Sequence, residues 1–173
     1  LLRDKAPNFL EVSESKTVPC LQTNDYILDE SLEIMIWALN INDPKNWLRE
    51  TDKSLELIAT CDGPFKNALD RTKYPNRYPD ESAVENRVLA SNFLDFIENQ
   101  LNPCLFGENF NLADIAILPF VRQFAHIDFD WFLSQPWPKT AEWLENFKTS
   151  EMFNSVMKKY PKWEENDPVT LFP

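Results

Sequence analysis

The sequence predicts a mainly α-helical protein in two parts, a small α/β piece over residues 1–43 and an all-helical piece over residues 44–173. Three observations predict it. Two glycines against thirteen prolines in 173 residues point to helices with sharply marked ends rather than a turn-rich β protein. Short β-prone runs lie near the front, and the apolar spacing is helical after Asn42-Asp43-Pro44. The third observation is the stretch over residues 107–125, GENFNLADIAILPFVRQFA, around which the rest is organised. Asn111 is a helix-capping residue type, and Asp114, three positions on, can reach back to the cap's own N–H, a variant of the capping box. Phe110 and Ile115 are spaced as a hydrophobic staple. Between Leu112 and Val121 only Asp114 is charged, so the helix is apolar nearly all round and belongs inside a helical domain. Pro119 is expected to kink it. Asn111 and Asp114 are therefore read as structural.

Taken in order, the opening LLRDKAPNFLEVSESK reads as a strand end, a charged turn and one helical turn. Val18-Pro19-Cys20-Leu21-Gln22 and Tyr26-Ile27-Leu28 form two β-prone runs separated by Thr23-Asn24-Asp25, a hairpin turn. Asp29-Glu30-Ser31 opens a helix whose Leu32, Met35, Ile36 and Leu39 recur at helical spacing. A lone hairpin and one helix make a marginal unit, so this reads as half of a small α/β domain. Beyond Pro44, a helix is expected from about Trp47 to Thr60, broken by Asp62-Gly63-Pro64 and resuming from Phe65 to Lys73. Ser82 and Glu85 make a capping box ahead of the stripe Ala90, Phe93, Leu94, Ile97 and Leu101. After the central helix come a short turn or helix at residues 128–132 and two further helices, residues 138–148 and 151–160. Glu164-Glu165-Asn166-Asp167 reads as a solvated tail.

Composition narrows the function. With 43% apolar residues, six Trp and thirteen Phe, the chain can fill aromatic-rich cores. A formal net charge of −11 argues against nucleic acid or an anionic membrane as partner, since no basic face offsets it. Cys20, Cys61 and Cys104 are an odd set without CxxC or Cys/His ligand spacing, which predicts no metal site and a reducing, cytoplasmic home. No run reaches a membrane span, and no signal peptide opens the chain, which starts at Leu1-Leu2 without an initiator Met.

The order strand, Thr-Val-Pro, hairpin, Asp-Glu-Ser on a helix, proline linker and Asn-x-Ala-Asp-capped helix resembles the cytosolic glutathione S-transferases, of the omega-like bacterial kind. The resemblance covers the whole chain. It implies a partial thioredoxin-like domain followed by the family's all-α C-terminal domain, with a strand–helix–strand unit expected upstream of Leu1. It also implies glutathione as substrate, a small electrophilic or disulfide second substrate, and a possible homodimer. In the family, a Tyr, Ser or Cys near the end of the first strand activates the glutathione thiol or forms a mixed disulfide with it. That position lies ahead of this chain, so the catalytic residue is unknown and the chain by itself is expected to be inactive.

The resemblance also implies binding residues. Pro19 matches the family's cis-proline, which leaves the peptide groups of Val18 free to pair with a peptide ligand as a strand edge would. Ser31 at a helix start suits the γ-glutamyl carboxylate, and Glu30 suits that residue's ammonium. Lys5, thirteen residues before Val18, matches the lysine that meets the glycyl carboxylate in omega-type transferases. Each has a plainer alternative: an edge proline, ordinary helix capping by Glu30 and Ser31, and a solvated lysine. Trp131, Phe132, Trp137 and Trp143 could line a pocket, but aromatics in a helical domain more often form core. Cys20 reads as a small buried hydrophobe, and His126 as a helix C-terminal residue with no nucleophile beside it. Two functions follow: glutathione conjugation or thiol transfer, in detoxification, by the intact protein, or a non-catalytic interaction module on the same fold.

Overall fold

A computed structural model of the chain describes residues 4–171. The residues up to Pro44 group with those from Glu151 onward as one compact unit, and Lys45–Ser150 form a second.

In the first unit, α1 (Pro7–Val12) starts with proline in its first turn, where a missing N–H costs nothing. Strands β1 (Leu21–Gln22) and β2 (Ile27–Leu28) pair antiparallel, Leu21 opposite Leu28 and Gln22 opposite Ile27. Thr23 closes the turn between them. Its N–H donates to the Tyr26 carbonyl at 2.9 Å, and its hydroxyl oxygen accepts from the Asp25 and Tyr26 amides at 3.2 and 3.0 Å, the local bonding that favours threonine in turns. Helix α2 (Ser31–Ile41) follows, tied to the hairpin by the Trp37 indole N–H, which donates to the Tyr26 hydroxyl. The strand end expected at the very front falls partly on residues 1–3, outside the described residues.

The second unit is all helical. Its elements are α3 (Thr51–Thr60), α4 (Lys66–Lys73), α5 (Ala83–Gln100), α6 (Leu112–Ala125), α7 (Phe129–Ser134) and α8 (Pro138–Thr149). Two expectations are corrected here. Residues 47–50 form a turn instead of the first turn of α3: Glu50 adopts a left-handed conformation, φ 56°, and the Arg49 guanidinium is drawn to the Asn46 and Phe110 carbonyls at 3.1 and 3.0 Å. Asp62-Gly63-Pro64 does not break the helix either. Cys61–Phe65 is a π-helical turn that carries α3 into α4, and the wider turn absorbs Pro64 while Cys61 and Phe65 both stay buried. Helix α5 is capped by Ser82, whose side chain accepts from the Glu85 amide. Asp128 caps α7 by accepting from the Trp131 amide at 3.1 Å.

Helix α6 is the core. Leu112, Ala113, Ile117, Leu118, Val121, Phe124 and Ala125 are all buried, and the helix runs on through Pro119. Its N-terminus is a knot of hydrogen bonds. Asn111 accepts from the Ala113 amide at 2.8 Å, and its own N–H donates to Asp114 Oδ2 at 2.8 Å. The other oxygen, Oδ1, accepts from the Leu105 amide at 2.9 Å and from the Trp143 indole at 2.8 Å. Asp114 thus joins the loop before α6, the start of α6, and α8. Burial pushes its carboxyl up to about 6, against the lowering effect of these donors. Phe110 stands edge-on to Phe147, ring centroids 6.4 Å apart. The indole of Trp137 donates to Asp95 at 2.6 Å, and Phe132, Trp137 and Trp143 are core residues, which answers the question of whether they line a pocket.

Within the first unit, α9 (Glu151–Val156) stops short of the expected Tyr160, and an irregular segment follows it.

Candidate functional site

The first unit holds the groups suited to a small zwitterionic ligand. A loop from the end of α1 to β1 carries Val18, and the Val18–Pro19 peptide bond is cis. Val18 is 47% exposed. Neither its N–H nor its C=O takes part in a backbone hydrogen bond or in the β1–β2 ladder among the described residues, so both can serve a ligand's main chain. Lys5 lies just before α1 and donates to the Lys16 carbonyl at 2.5 Å, across the base of the same loop. Lys5 and Val18 line one open depression of about 490 Å³.

Asp29 holds this loop in place. Its carboxylate accepts from the Ser13 hydroxyl at 2.7 Å and from the Ser15 amide at 2.6 Å, and these bonds, the Ser13 contact first, keep its carboxyl below the usual carboxylate range. Sequence reasoning gave Asp29 no role. The signal was present in Asp29-Glu30-Ser31, but the partners Ser13 and Ser15 are brought to it only by the fold.

Glu30 and Ser31 are exposed at the start of α2. Neither acts as a side-chain cap, since the N-cap position Glu30 makes no capping hydrogen bond. The plain capping alternative is therefore absent here, and the first N–H groups of an eleven-residue helix stay open to an anion. The two residues do not line the depression that Lys5 and Val18 share.

The three cysteines are poor nucleophiles. Burial pushes Cys104 up to about 11 and raises Cys61 well above its ordinary value. Cys20 is raised by burial and by the neighbouring Asp29 carboxylate. His126 caps the C-terminal end of α6 and stacks on Phe129 at 5.2 Å; burial, then Arg122 and Lys148, lower its pKa. No cluster of three or more His, Cys, Asp or Glu suited to a metal occurs among the described residues. No described helix is long and apolar enough to cross a membrane.

A larger depression, about 870 Å³, lies in the second unit against Leu57, Phe65, Leu89, Phe93 and Phe96. None of the sequence-predicted binding residues lines it. Its walls are mainly apolar, whereas a tripeptide with two carboxylates and an ammonium needs charge and open main-chain groups, so the smaller depression is the candidate site.

Comparison with known proteins bears on the fold. Residues 81–146 match the family described as glutathione S-transferase, C-terminal domain. Glutathione S-transferase D7 of Drosophila melanogaster is 27% identical, over 92% of this chain and 70% of its own length. The chain is thus similar to glutathione S-transferases, through a family match over residues 81–146 and a relative at 27% identity. Two solved structures of the family share its fold. A glutathione transferase from poplar superposes with a TM-score of 0.70 at 16% identity, over 88% of this chain and 78% of the other. One from Methylobacterium radiotolerans, solved in complex with glutathione sulfonate, gives 0.67 at 19% identity over 98% and 84%. The chain is accordingly a glutathione S-transferase-like protein, mainly helical, with a small α/β element ahead of the family's helical C-terminal domain.

Proposed function

We propose that the protein binds glutathione through its first unit and uses it in conjugation or thiol transfer, on a small electrophilic or disulfide substrate. The observation that carries this is the pairing of an exposed, unengaged Val18 peptide with the Lys5 ammonium in one depression. Val18 would receive the cysteinyl main chain, and Lys5 the glycyl carboxylate. The open N-terminus of α2 with Ser31 would take the γ-glutamyl carboxylate, and Glu30 that residue's ammonium. The described residues thus bind and orient the tripeptide. The step they leave to another group is thiolate formation, because every cysteine among them is biased toward the thiol. On this reading residues 1–43 belong to a thioredoxin-like glutathione-binding domain and residues 44–173 to the helical domain. The protein is cytoplasmic, in keeping with its three free thiols. It is a homodimer through the α5 face that exposes Val84, Val88, Leu89 and Phe96, since contiguous exposed apolar side chains mark association surfaces.

The test is glutathione binding by the intact natural protein. Ser31→Ala is expected to weaken it by roughly 1–3 kcal/mol, about 5- to 150-fold, if the residue holds a charged carboxylate. Calorimetric titration that shows equal affinity for the variant and wild type would remove Ser31 from the site.

A further inference from the structure

The depression that holds Lys5 and Val18 has a second wall, and it comes from the far end of the chain. After α9 the irregular segment brings Tyr160, Pro161, Lys162 and Trp163 to line it. The ammonium of Lys162 lies 2.5 Å from Asp4, which holds the Asp4 carboxyl below its ordinary value. Lys158 lies 5.2 Å from the centroid of the Tyr160 ring. Tyr160 and Trp163 keep 41% and 44% exposure. These rings are therefore laid along an open site and are not sunk into a core.

The charges facing the depression are those of Asp4, Lys5 and Lys162. Asp4 and Lys162 compensate each other. Among the described residues Lys5 meets the neutral Lys16 carbonyl and no carboxylate, in a protein of net charge −11. A site with such a cation, an open main-chain edge and two exposed aromatic faces suits the end of a peptide that carries a single carboxylate.

We propose that the segment Tyr160–Trp163 is part of the glutathione site, a C-terminal strap that covers the cysteinyl-glycyl end of the ligand. Trp163 supplies the covering ring, and Lys162, held by Asp4, supplies a second cation beside the glycyl carboxylate. An exposed ion pair such as Asp4–Lys162 holds weakly, so the strap opens readily and orders when the ligand enters. The proposal rests on the glutathione reading above.

The test uses the intact natural protein with glutathione and with its glycinamide analogue, in which the glycyl carboxylate is an uncharged amide. Binding is followed by calorimetry, and hydrogen exchange is recorded with and without ligand. Trp163→Ala is expected to weaken glutathione binding about five- to tenfold. Lys162→Gln should weaken glutathione by a similar factor yet leave the analogue nearly unaffected, and glutathione should slow exchange over residues 158–167 in the wild type. If the wild type binds glutathione but both variants match it and exchange over 158–167 does not change, the strap is overturned and the glutathione reading stands. If the wild type binds no glutathione, that reading fails and the strap with it.

Discussion

Replacing Asp114 with alanine is expected to destabilise the helical unit by about 3–5 kcal/mol, because three buried donors lose their acceptor at once and each stranded donor costs roughly 1–3 kcal/mol. The Leu105 amide, the Asn111 amide and the Trp143 indole all point at this carboxylate, and the residue is fully buried. Asp114→Asn should cost less, about 1–2 kcal/mol, since an amide oxygen can still serve two of the donors while its NH₂ faces a third. Urea unfolding followed by tryptophan fluorescence measures both. An alanine variant as stable as the wild type would show that the knot contributes nothing.

The same residue predicts a pH dependence. Folded Asp114 titrates at about 6, whereas an aspartate in the unfolded chain titrates near 3.9. The folded protein therefore holds the proton to higher pH than the unfolded chain does. Between roughly pH 4 and pH 6 only the folded state is protonated here, so this group's contribution to stability is complete below about pH 4 and is lost as the pH rises through 6. The total is on the order of 3 kcal/mol. Asp114→Asn cannot titrate, so the stability difference between wild type and variant should move in the variant's favour across that window. A difference that stays flat from pH 4 to 7 would contradict the assignment.

Phe65→Ala is the second large effect, about 3–5 kcal/mol, the range for deleting a buried aromatic ring. Phe65 is 1% exposed. It stacks on Phe93 with centroids 4.6 Å apart and tilts against Phe124 at 5.9 Å, so one ring at the π-helical turn holds α5 and α6 together. Phe65→Leu keeps much of the volume and should cost roughly 1–2 kcal/mol. Equal losses for alanine and leucine, read from the same unfolding curves, would mean that the ring's stacking matters and the volume it fills does not.

What the sequence made legible follows from the range of the interactions involved. Helix α6 was readable because its signals are local: a cap, its reciprocal carboxylate three residues on, and an apolar run. The hairpin was readable for the same reason, with Thr23 bonding within its own turn. The misreadings are places where distant contacts win. Asp62-Gly63-Pro64 looks like a stop, yet burying both Cys61 and Phe65 keeps the chain helical through a widened turn. The residues before α3 look helical, but Arg49 is drawn to the carbonyls of Asn109 and Phe110, some sixty positions later in the sequence. In the candidate site, Lys5, Val18, Glu30 and Ser31 are what the family resemblance implies. Asp29 is not among them, because its partners are fourteen and sixteen residues away. Nor did the pattern single out Tyr160–Trp163, which reads as an ordinary continuation of a helix into a tail.

The burial of the thiols sets how chemical reagents will report on this protein. Alkylating agents attack the thiolate, and they need access to it. Cys61 and Cys104 offer neither, so among the described residues Cys20, half-buried beside Asp29, is the thiol that reacts first in the folded protein. It stands immediately after Pro19, at the edge of the loop that carries Val18. A label placed there sits beside the candidate site, and loss of ligand binding after alkylation is then explained by obstruction of that loop without any thiol of this chain having taken part in the chemistry.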